Sequence, residues 1–279
     1  MKVSVVVTAY NVEQYIGPCI KSILGQSHQD LELIVVNDCS TDKTLKVLNK
    51  VKDERIKIIS NDQNMGVGWS RYKGLSATQG EYVIIVDGDD WLGADYIERL
   101  VLAAESTGAD IVSSGITHVY SEQYEEIKRL LLKQNIGIQK FDDYSKGRNT
   151  SINNNLVRRE LFAQIPYCTR RYDDDIPVLL ALLYYANMVV TIDTQGYFFR
   201  QREDRLSQTV SPFERALFHL LCIKDILLFF SDKEEEYQSF VSMDNIKQYK
   251  SLLLSAMTPD MEQKYCMELG QLVRLLMVV

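Results

Sequence analysis

The sequence predicts an α/β fold: a mostly parallel sheet flanked by helices, with a helical appendage at the C-terminal end. Three observations carry that prediction. Short apolar runs rich in β-branched residues alternate with helical patterns over roughly the first hundred residues, which is how strands buried on both faces of a parallel sheet read. Each of these runs ends in a polar or small stretch, and in an open α/β sheet such stretches face one crevice outside the carboxyl ends of the strands. From Ser211 onward strand patterns stop and helix-start signals take over.

The elements follow in order. Val3 to Val7 is the first strand and runs into Thr8-Ala9-Tyr10-Asn11, after which Val12 to Leu24 has helical spacing. Leu31 to Val36 is the second strand and meets Asn37-Asp38-Cys39-Ser40-Thr41-Asp42, where Ser40, Thr41 and Asp42 suit the cap of a helix over Thr44 to Val51. Ile56 to Ser60 leads through Asn61-Asp62-Gln63-Asn64-Met65-Gly66 into a helix at Val67 to Ala77. Tyr82 to Val86 ends on Asp87-Gly88-Asp89-Asp90, with a helix expected over Asp95 to Ala104. Beyond Gly115 the pattern loosens, and the charged stretch Glu122 to Lys133 reads as a solvated helix. Asn149 to Phe162 reads as a polar loop followed by a helix. Arg171-Tyr172-Asp173-Asp174-Asp175-Ile176-Pro177 leads into an apolar helix at Val178 to Ala186, and Val189 to Asp193 and Gly196 to Arg200 read as short strands. Ser211-Pro212-Phe213-Glu214 is a capping box with proline in the first turn, and Thr258-Pro259 starts another helix.

Bulk composition narrows the function. The chain has 279 residues, 46% hydrophobic and 25% charged, with a formal net charge of -7. No basic stripe accompanies that charge, so a nucleic-acid partner is not expected. An acidic protein that handles a phosphorylated substrate needs local positive charge, and eight of the fourteen arginines fall between Arg148 and Arg205. Cys19, Cys39, Cys168, Cys222 and Cys266 are scattered without C-x-x-C spacing, which suits reduced thiols in a cytosol. The first residues enter a strand without a signal-peptide pattern. The run Ala216 to Phe230 is broken by His219, Lys224 and Asp225, so no membrane span is expected.

Asp87-Gly88-Asp89-Asp90 carries the most chemistry. Three carboxylates at the end of a buried strand have no packing rationale. Oxygen-only ligands suit Mg²⁺ or Mn²⁺, ions that hold a substrate diphosphate with one or two carboxylates. An acidic turn capping the next helix is the alternative. The first strand's turn lacks glycine until Gly17, which disfavours dinucleotide-binding folds and P-loops, both of which need a glycine-rich turn around phosphate.

Taken together, these stretches resemble family 2 glycosyltransferases of the GT-A fold, inverting enzymes that move a sugar from a nucleotide diphosphate. Thr8-Ala9-Tyr10-Asn11 is similar to the family's P-x-Y-N. Asn37-Asp38-Cys39-Ser40-Thr41-Asp42 is similar to D-D-x-S-x-D, with Asn37 replacing the first acid. Asn64-Met65-Gly66 through Arg71 resembles N-x-G, four residues, R, and Asp87-Gly88-Asp89-Asp90 resembles D-x-D-D. Asn154-Asn155-Leu156-Val157-Arg158-Arg159-Glu160-Leu161-Phe162 resembles a stretch beside the acceptor, with Asn155 in place of a lysine. Phe199-Arg200-Gln201-Arg202 through Leu206-Ser207 resembles the element that closes over the diphosphate.

The resemblance implies a GT-A catalytic domain over residues 1–210, with 1–115 as the nucleotide-binding half and 116–210 as the acceptor-binding half and lid, and a helical appendage over 211–279. It places Thr8, Tyr10, Asn11, Asp38, Arg71, Asp87 and Gly88 at the nucleotide, with Asp38 on the uracil ring. Asp89, with Asp87 and Asp90, is placed at Mn²⁺ or Mg²⁺, and Arg200 and Arg202 at the diphosphate. Asp175 becomes the base that takes the acceptor proton, with Asp174 beside it; a carboxylate at a helix N-terminus stays ionised and able to accept. The implied partners are a nucleotide-diphosphate sugar, with UDP as the nucleotide, and a glycan or glycolipid acceptor, in bacterial surface-polysaccharide synthesis on the cytoplasmic side. A non-catalytic sugar-nucleotide or glycan-binding protein of the same fold is the alternative. In the tail, Met261, Tyr265, Leu269, Leu272 and Leu276 form an apolar stripe expected to pack on the catalytic domain or a second subunit. The apolar end Leu275-Leu276-Met277-Val278-Val279 is expected to dock on a partner or peripherally on a membrane.

Overall fold

A computed structural model of the protein describes residues 1–120, 127–130, 137–139, 151–165, 175–202, 210–231 and 243–278. Asp173, Asp174, Cys168 and the segment 203–209 lie outside the described residues. The chain divides into two compact units, Met1–Arg202 and Glu203–Val279.

The first unit is built on an eight-stranded sheet in the order β3-β2-β1-β4-β10-β6-β11-β9. β1 (Val3–Ala9), β2 (Leu31–Asn37), β3 (Ile56–Ser60) and β4 (Tyr82–Asp87) run parallel. All seven residues of β1 are buried, because neighbouring strands flank it and helices cover the sheet. Crossovers between these strands carry α1 (Ile16–Leu24), α2 (Thr44–Leu48) and α3 (Val67–Leu75), and α4 (Tyr96–Thr107) follows β4 and the short β5 (Trp91–Leu92). The apolar runs of the sequence thus became strands as expected.

Past β4 the sheet is mixed. β6 (Ile111–Ser113) and β11 (Val189–Thr191) pair in parallel, β10 (Asn155–Arg158) lies antiparallel between β4 and β6, and β9 (Gly137–Gln139) lies antiparallel at the edge. A second sheet runs β5-β12-β7-β8, with β7 (Ile116–Val119), β8 (Ile127–Leu130) and β12 (Tyr197–Arg200). Short α5 (Arg159–Phe162) follows β10, and α6 (Asp175–Tyr185) precedes β11.

Three expectations change here. Residues 127–130, inside the stretch read as a solvated helix, form β8 and pair with β7, so strand pairing overrides their charge pattern. Asn155 to Arg158, read as loop and helix, form β10 because a gap between β4 and β6 pairs them on both sides. The helix expected from Val12 begins at Ile16, since the Val12 amide bonds the Thr44 hydroxyl at 2.9 Å across the neighbouring loop.

The order β3-β2-β1-β4 contains the position that matters for function. The chain steps outward from β1 to β2 to β3, then returns to lay β4 on the other side of β1. The β1/β4 seam is therefore the switch point of the sheet, where ligands bind in open α/β folds. Thr8 pairs with Asp87 in register, and the Gly88 amide donates to the Thr8 carbonyl at 2.9 Å. A Cβ on Gly88 would lie 2.7 Å from that carbonyl oxygen, so only glycine permits the approach.

The described part of the second unit is helical: α7 (Pro212–Phe230), α8 (Met243–Ala256), α9 (Pro259–Lys264) and α10 (Cys266–Val278). The predicted capping box is present, with Ser211 Oγ accepting from the Glu214 amide at 3.2 Å and Glu214 accepting from the Ser211 amide at 3.1 Å. Thr258 caps α9. The stripe from Met261 to Leu276 is split between α9 and α10, which part at Tyr265, and the Tyr265 ring packs against Phe213 and Phe218 of α7. No helix among the described residues is long and apolar enough to cross a membrane.

Candidate active site

Loops at the carboxyl ends of β1 and β2 are tied to each other before they meet any ligand. Asn11 sits in the left-handed region with φ 50°, and its side-chain oxygen accepts from the Thr41 amide at 2.8 Å while its own amide donates to Ser40 Oγ at 3.1 Å. Asp42 accepts from the Glu13 amide at 3.0 Å, and Glu13 accepts from the Lys43 amide at 2.7 Å. Ser40, Thr41 and Asp42 were expected to cap α2. They chiefly cross-link two loops instead, although Asp42 also accepts from the Thr44 amide at 2.9 Å. Burial opposes the Asp42 charge, yet the bonds from Thr44 and Glu13 outweigh it and hold the carboxyl below its ordinary value. Beside this lattice Tyr10 is 42% exposed and Thr8 is buried.

Asp38, buried in the same rim, organises the third loop. Its carboxylate accepts from Asn61 Nδ2 at 2.7 Å and from the Met65 and Gly66 amides at 2.8 Å each. Gly66, with φ 91°, leads directly into α3, and Asn61 also donates to Ser70 Oγ on that helix at 3.0 Å. Asp38 therefore fixes where α3 starts and the direction in which it carries Arg71.

Arg71 belongs to the interior rather than to a solvated helix face: it is 3% exposed. Nη2 donates to Asp87 Oδ1 at 3.0 Å and to Asn153 Oδ1 at 3.4 Å, while Nη1 donates to Asp175 Oδ1. Asn153 Nδ2 closes the group on Asp87 Oδ2 at 2.9 Å. One guanidinium thus joins the end of β4 to the first residue of α6, two segments far apart in sequence. Asn153 was not singled out from the sequence, because it stands in an asparagine-rich loop with no spacing signal. The neighbouring Asn154 and Asn155 turn elsewhere, toward the Ser114 carbonyl and the Ser113 hydroxyl.

The remaining acids of the turn face different partners. Arg202 Nε donates to Asp89 Oδ2 at 2.9 Å, and Arg200 Nε to the Asp89 carbonyl at 2.9 Å. Arg200 lies between two rings, its guanidinium 4.8 Å from Tyr15 and 4.6 Å from Trp91, so the fork is oriented in advance. Asp90 is 1% exposed and accepts from the Tyr197 hydroxyl at 2.7 Å and the Arg200 amide at 2.9 Å. Burial, then the charges of Asp89 and Asp87, push the Asp90 carboxyl well above its ordinary range. Burial and the same three acids also push up the Cys19 thiol, whose sulfur lies 3.7 Å from the Asp87 carbonyl.

Whether this donor set suits a cation follows from its chemistry. Among the described residues no group of three His, Cys, Asp or Glu side chains forms a cage for an ion. Asp87 and Asp89 are hard oxygen donors at the rim, each now matched to an arginine. Such a pair fits Mg²⁺ or Mn²⁺ of the kind that completes its shell with water and substrate phosphate. Asp90, turned toward Tyr197 and Arg200, shapes the turn from behind.

Comparison with known proteins agrees with this geometry. Residues 4–166 match the family described as Glycosyl transferase family 2. The chain is 28% identical over 244 residues to glycosyltransferase GlyG of Streptococcus pneumoniae serotype 4, covering 83% of this chain and 79% of that protein. It is 30% identical over 226 residues to the uncharacterized glycosyltransferase EpsJ of Bacillus subtilis, covering 77% of this chain but 65% of the relative. Among solved structures, S. aureus TarS 1-349 in complex with UDP-GlcNAc superposes with a TM-score of 0.71 at 22% identity, over 92% of this chain and 73% of that one. At that identity the likeness establishes the fold, which is the GT-A type expected from the motifs.

Proposed function

We propose that this chain, which belongs to glycosyl transferase family 2, is a metal-dependent inverting glycosyltransferase that moves a sugar from a nucleotide diphosphate, with UDP as the nucleotide, to a glycan or glycolipid acceptor. Bacterial surface-polysaccharide synthesis on the cytoplasmic side is the setting this reading implies. The observation that carries it is the Arg71 guanidinium, which brings Asp87 and Asp175 to one place at the switch point of the sheet. A binding module has no need of a second carboxylate there.

In this reading the loops held by Asn11, Thr8, Tyr10 and Asp38 receive the nucleotide, and Gly88 leaves room for the chain to pass beneath it. Asp89, assisted by Asp87, would hold Mg²⁺ or Mn²⁺, which when bound would supply positive charge to offset that of the departing diphosphate. Arg200 and Arg202 present forks suited to phosphate oxygens. Asp175 accepts the proton of the attacking hydroxyl; its place in the first turn of α6 favours the ionised form, and Asp174 precedes it. Attack from that side displaces the diphosphate with inversion, so a donor of α configuration gives a β-linked product.

A thermal-shift panel of nucleotide sugars with and without Mn²⁺ tests the assignment. UDP compounds are expected to stabilise the protein only with metal, by about 2.7 kcal/mol at 100 times the dissociation constant, and Asp89→Asn is expected to abolish the shift. Equal shifts without metal would remove the cation from the account.

A further inference from the structure

The bonds of Arg71 have a directional logic. Its position is fixed from the nucleotide side: Asp38 sets the start of α3, and Asp87 takes one arm of the guanidinium at 3.0 Å. Asn153 steadies that pairing from both ends, accepting from Nη2 at 3.4 Å and donating to the other Asp87 oxygen at 2.9 Å. The second arm is directed at Asp175. Arg71 is buried, whereas the side chains of Asp87 and Asp175 remain 24% and 25% exposed. The arginine therefore lies beneath two carboxylates that both reach the surface of the crevice. A lysine could not reproduce this, because a point charge lacks a planar fork that orients two acceptors at once.

We infer that Arg71 is a positioning residue, a brace that takes its bearing from Asp87 and Asn153 and aims the carboxylate of Asp175, rather than a group whose main task is to bind the nucleotide. The inference rests on the reading of Asp175 as the base. It gives Asn153, which no motif marked, a role as the orienter of the brace. Misaiming a reacting group by about 1 Å lowers rates by about 10²-fold, and that is the size of effect the brace controls.

The test compares Arg71→Lys, Arg71→Ala and Asn153→Ala with wild type in two measurements: UDP affinity by calorimetry with Mn²⁺ present, and steady-state release of UDP from a panel of UDP-sugars. Arg71→Lys, which keeps the charge, guards against simple misfolding, and thermal melts check each variant. Turnover is expected to fall by about 10²-fold in both Arg71 variants and by less in Asn153→Ala, with UDP affinity within about threefold of wild type throughout. Guanidinium ion is expected to restore at least about tenfold of the Arg71→Ala loss and nothing in Asp175→Asn. A fall in UDP affinity that matches the fall in turnover, or a lack of rescue, would overturn the brace while leaving the transferase reading intact. A wild-type chain that neither binds UDP nor releases it from any UDP-sugar would overturn the reading and the brace together.

Discussion

The two units use the same kinds of residue to opposite ends. In the second unit polar groups satisfy helix termini: Ser211 and Glu214 close the capping box of α7, and Tyr265 and Lys264 both donate to Glu214. The helix end accounts for Ser211 and Glu214, and the packing of α7 against the Lys264–Tyr265 corner accounts for the other two. At the rim of the first unit Arg71, Asp87, Asp89 and Asp90 are gathered at the end of β4 and Asp175 is drawn in across the seam, although no helix end or turn requires that density of charge. Burying like charges works against stability, and the raised pKa of Asp90 is the local sign of it. The difference separates charge that the fold itself explains from charge that only the proposed ligand explains.

The largest effect that would sharpen this contrast is catalytic. Asp175→Asn should lower transfer by about 10²–10⁴-fold while leaving UDP affinity nearly unchanged, as read by initial rates and calorimetry. Next comes Arg71→Met, which leaves Asp87 and Asp175 without their shared partner. Denaturant unfolding should show a loss of about 3–5 kcal/mol, larger than any polar substitution in the second unit. Tyr265→Phe removes one bond to a carboxylate and should cost about 1.5–3 kcal/mol, with no change in UDP binding; altered UDP affinity would blur the division between the units.

Acid should act on the second unit through the same carboxylate. Burial opposes the charge of Glu214, but bonds from Tyr265, Ser211 and Lys264 outweigh it and bring the carboxyl from 4.5 to about 2. A depressed folded pKa stabilises above the unfolded value, so this contribution is whole above about pH 4.5 and is lost as pH falls toward 2. Glu214→Gln should flatten the dependence of stability on pH in that window. Smallest of all, Ser211→Ala should cost about 1 kcal/mol through the lost cap of α7, seen as a lower melting temperature.

Much of this was legible from residues alone, and the boundary has a physical cause. β1, β2 and β4 are largely buried on both faces, so each is written as a nearly continuous apolar run, while β3 at the sheet's edge is only half-buried and carries Lys57 among its isoleucines; the polar stretches after all four could be placed on one rim. β8 and β10 were not legible: Ile127–Leu130 carries two charges in four residues, and Asn155–Arg158 is a strand only because β4 and β6 leave a slot for it. The motif positions Asp38, Arg71, Asp87, Asp89 and Asp175 were found in the sequence, but their partners were not. α3 has no apolar stripe to show which face is inward; it approaches the sheet through Gly74, whose missing side chain admits Val6 of β1. The depth of Arg71 follows from that packing, and no spacing rule encodes it. Asn153 and the cross-links from Ser40, Thr41 and Asp42 to the first loop depend on contacts between distant segments and were invisible for the same reason.

The most direct test of the central claim is a crystal structure of the wild-type protein with UDP and Mn²⁺. The ion is expected on Asp89, the diphosphate between it and the forks of Arg200 and Arg202, the uridine against the loops of Asn11 and Asp38, and Asp175 facing the vacant sugar position. Nucleotide bound away from the β1/β4 seam, or Asp175 turned out of the crevice with Arg71 still holding Asp87, would contradict it.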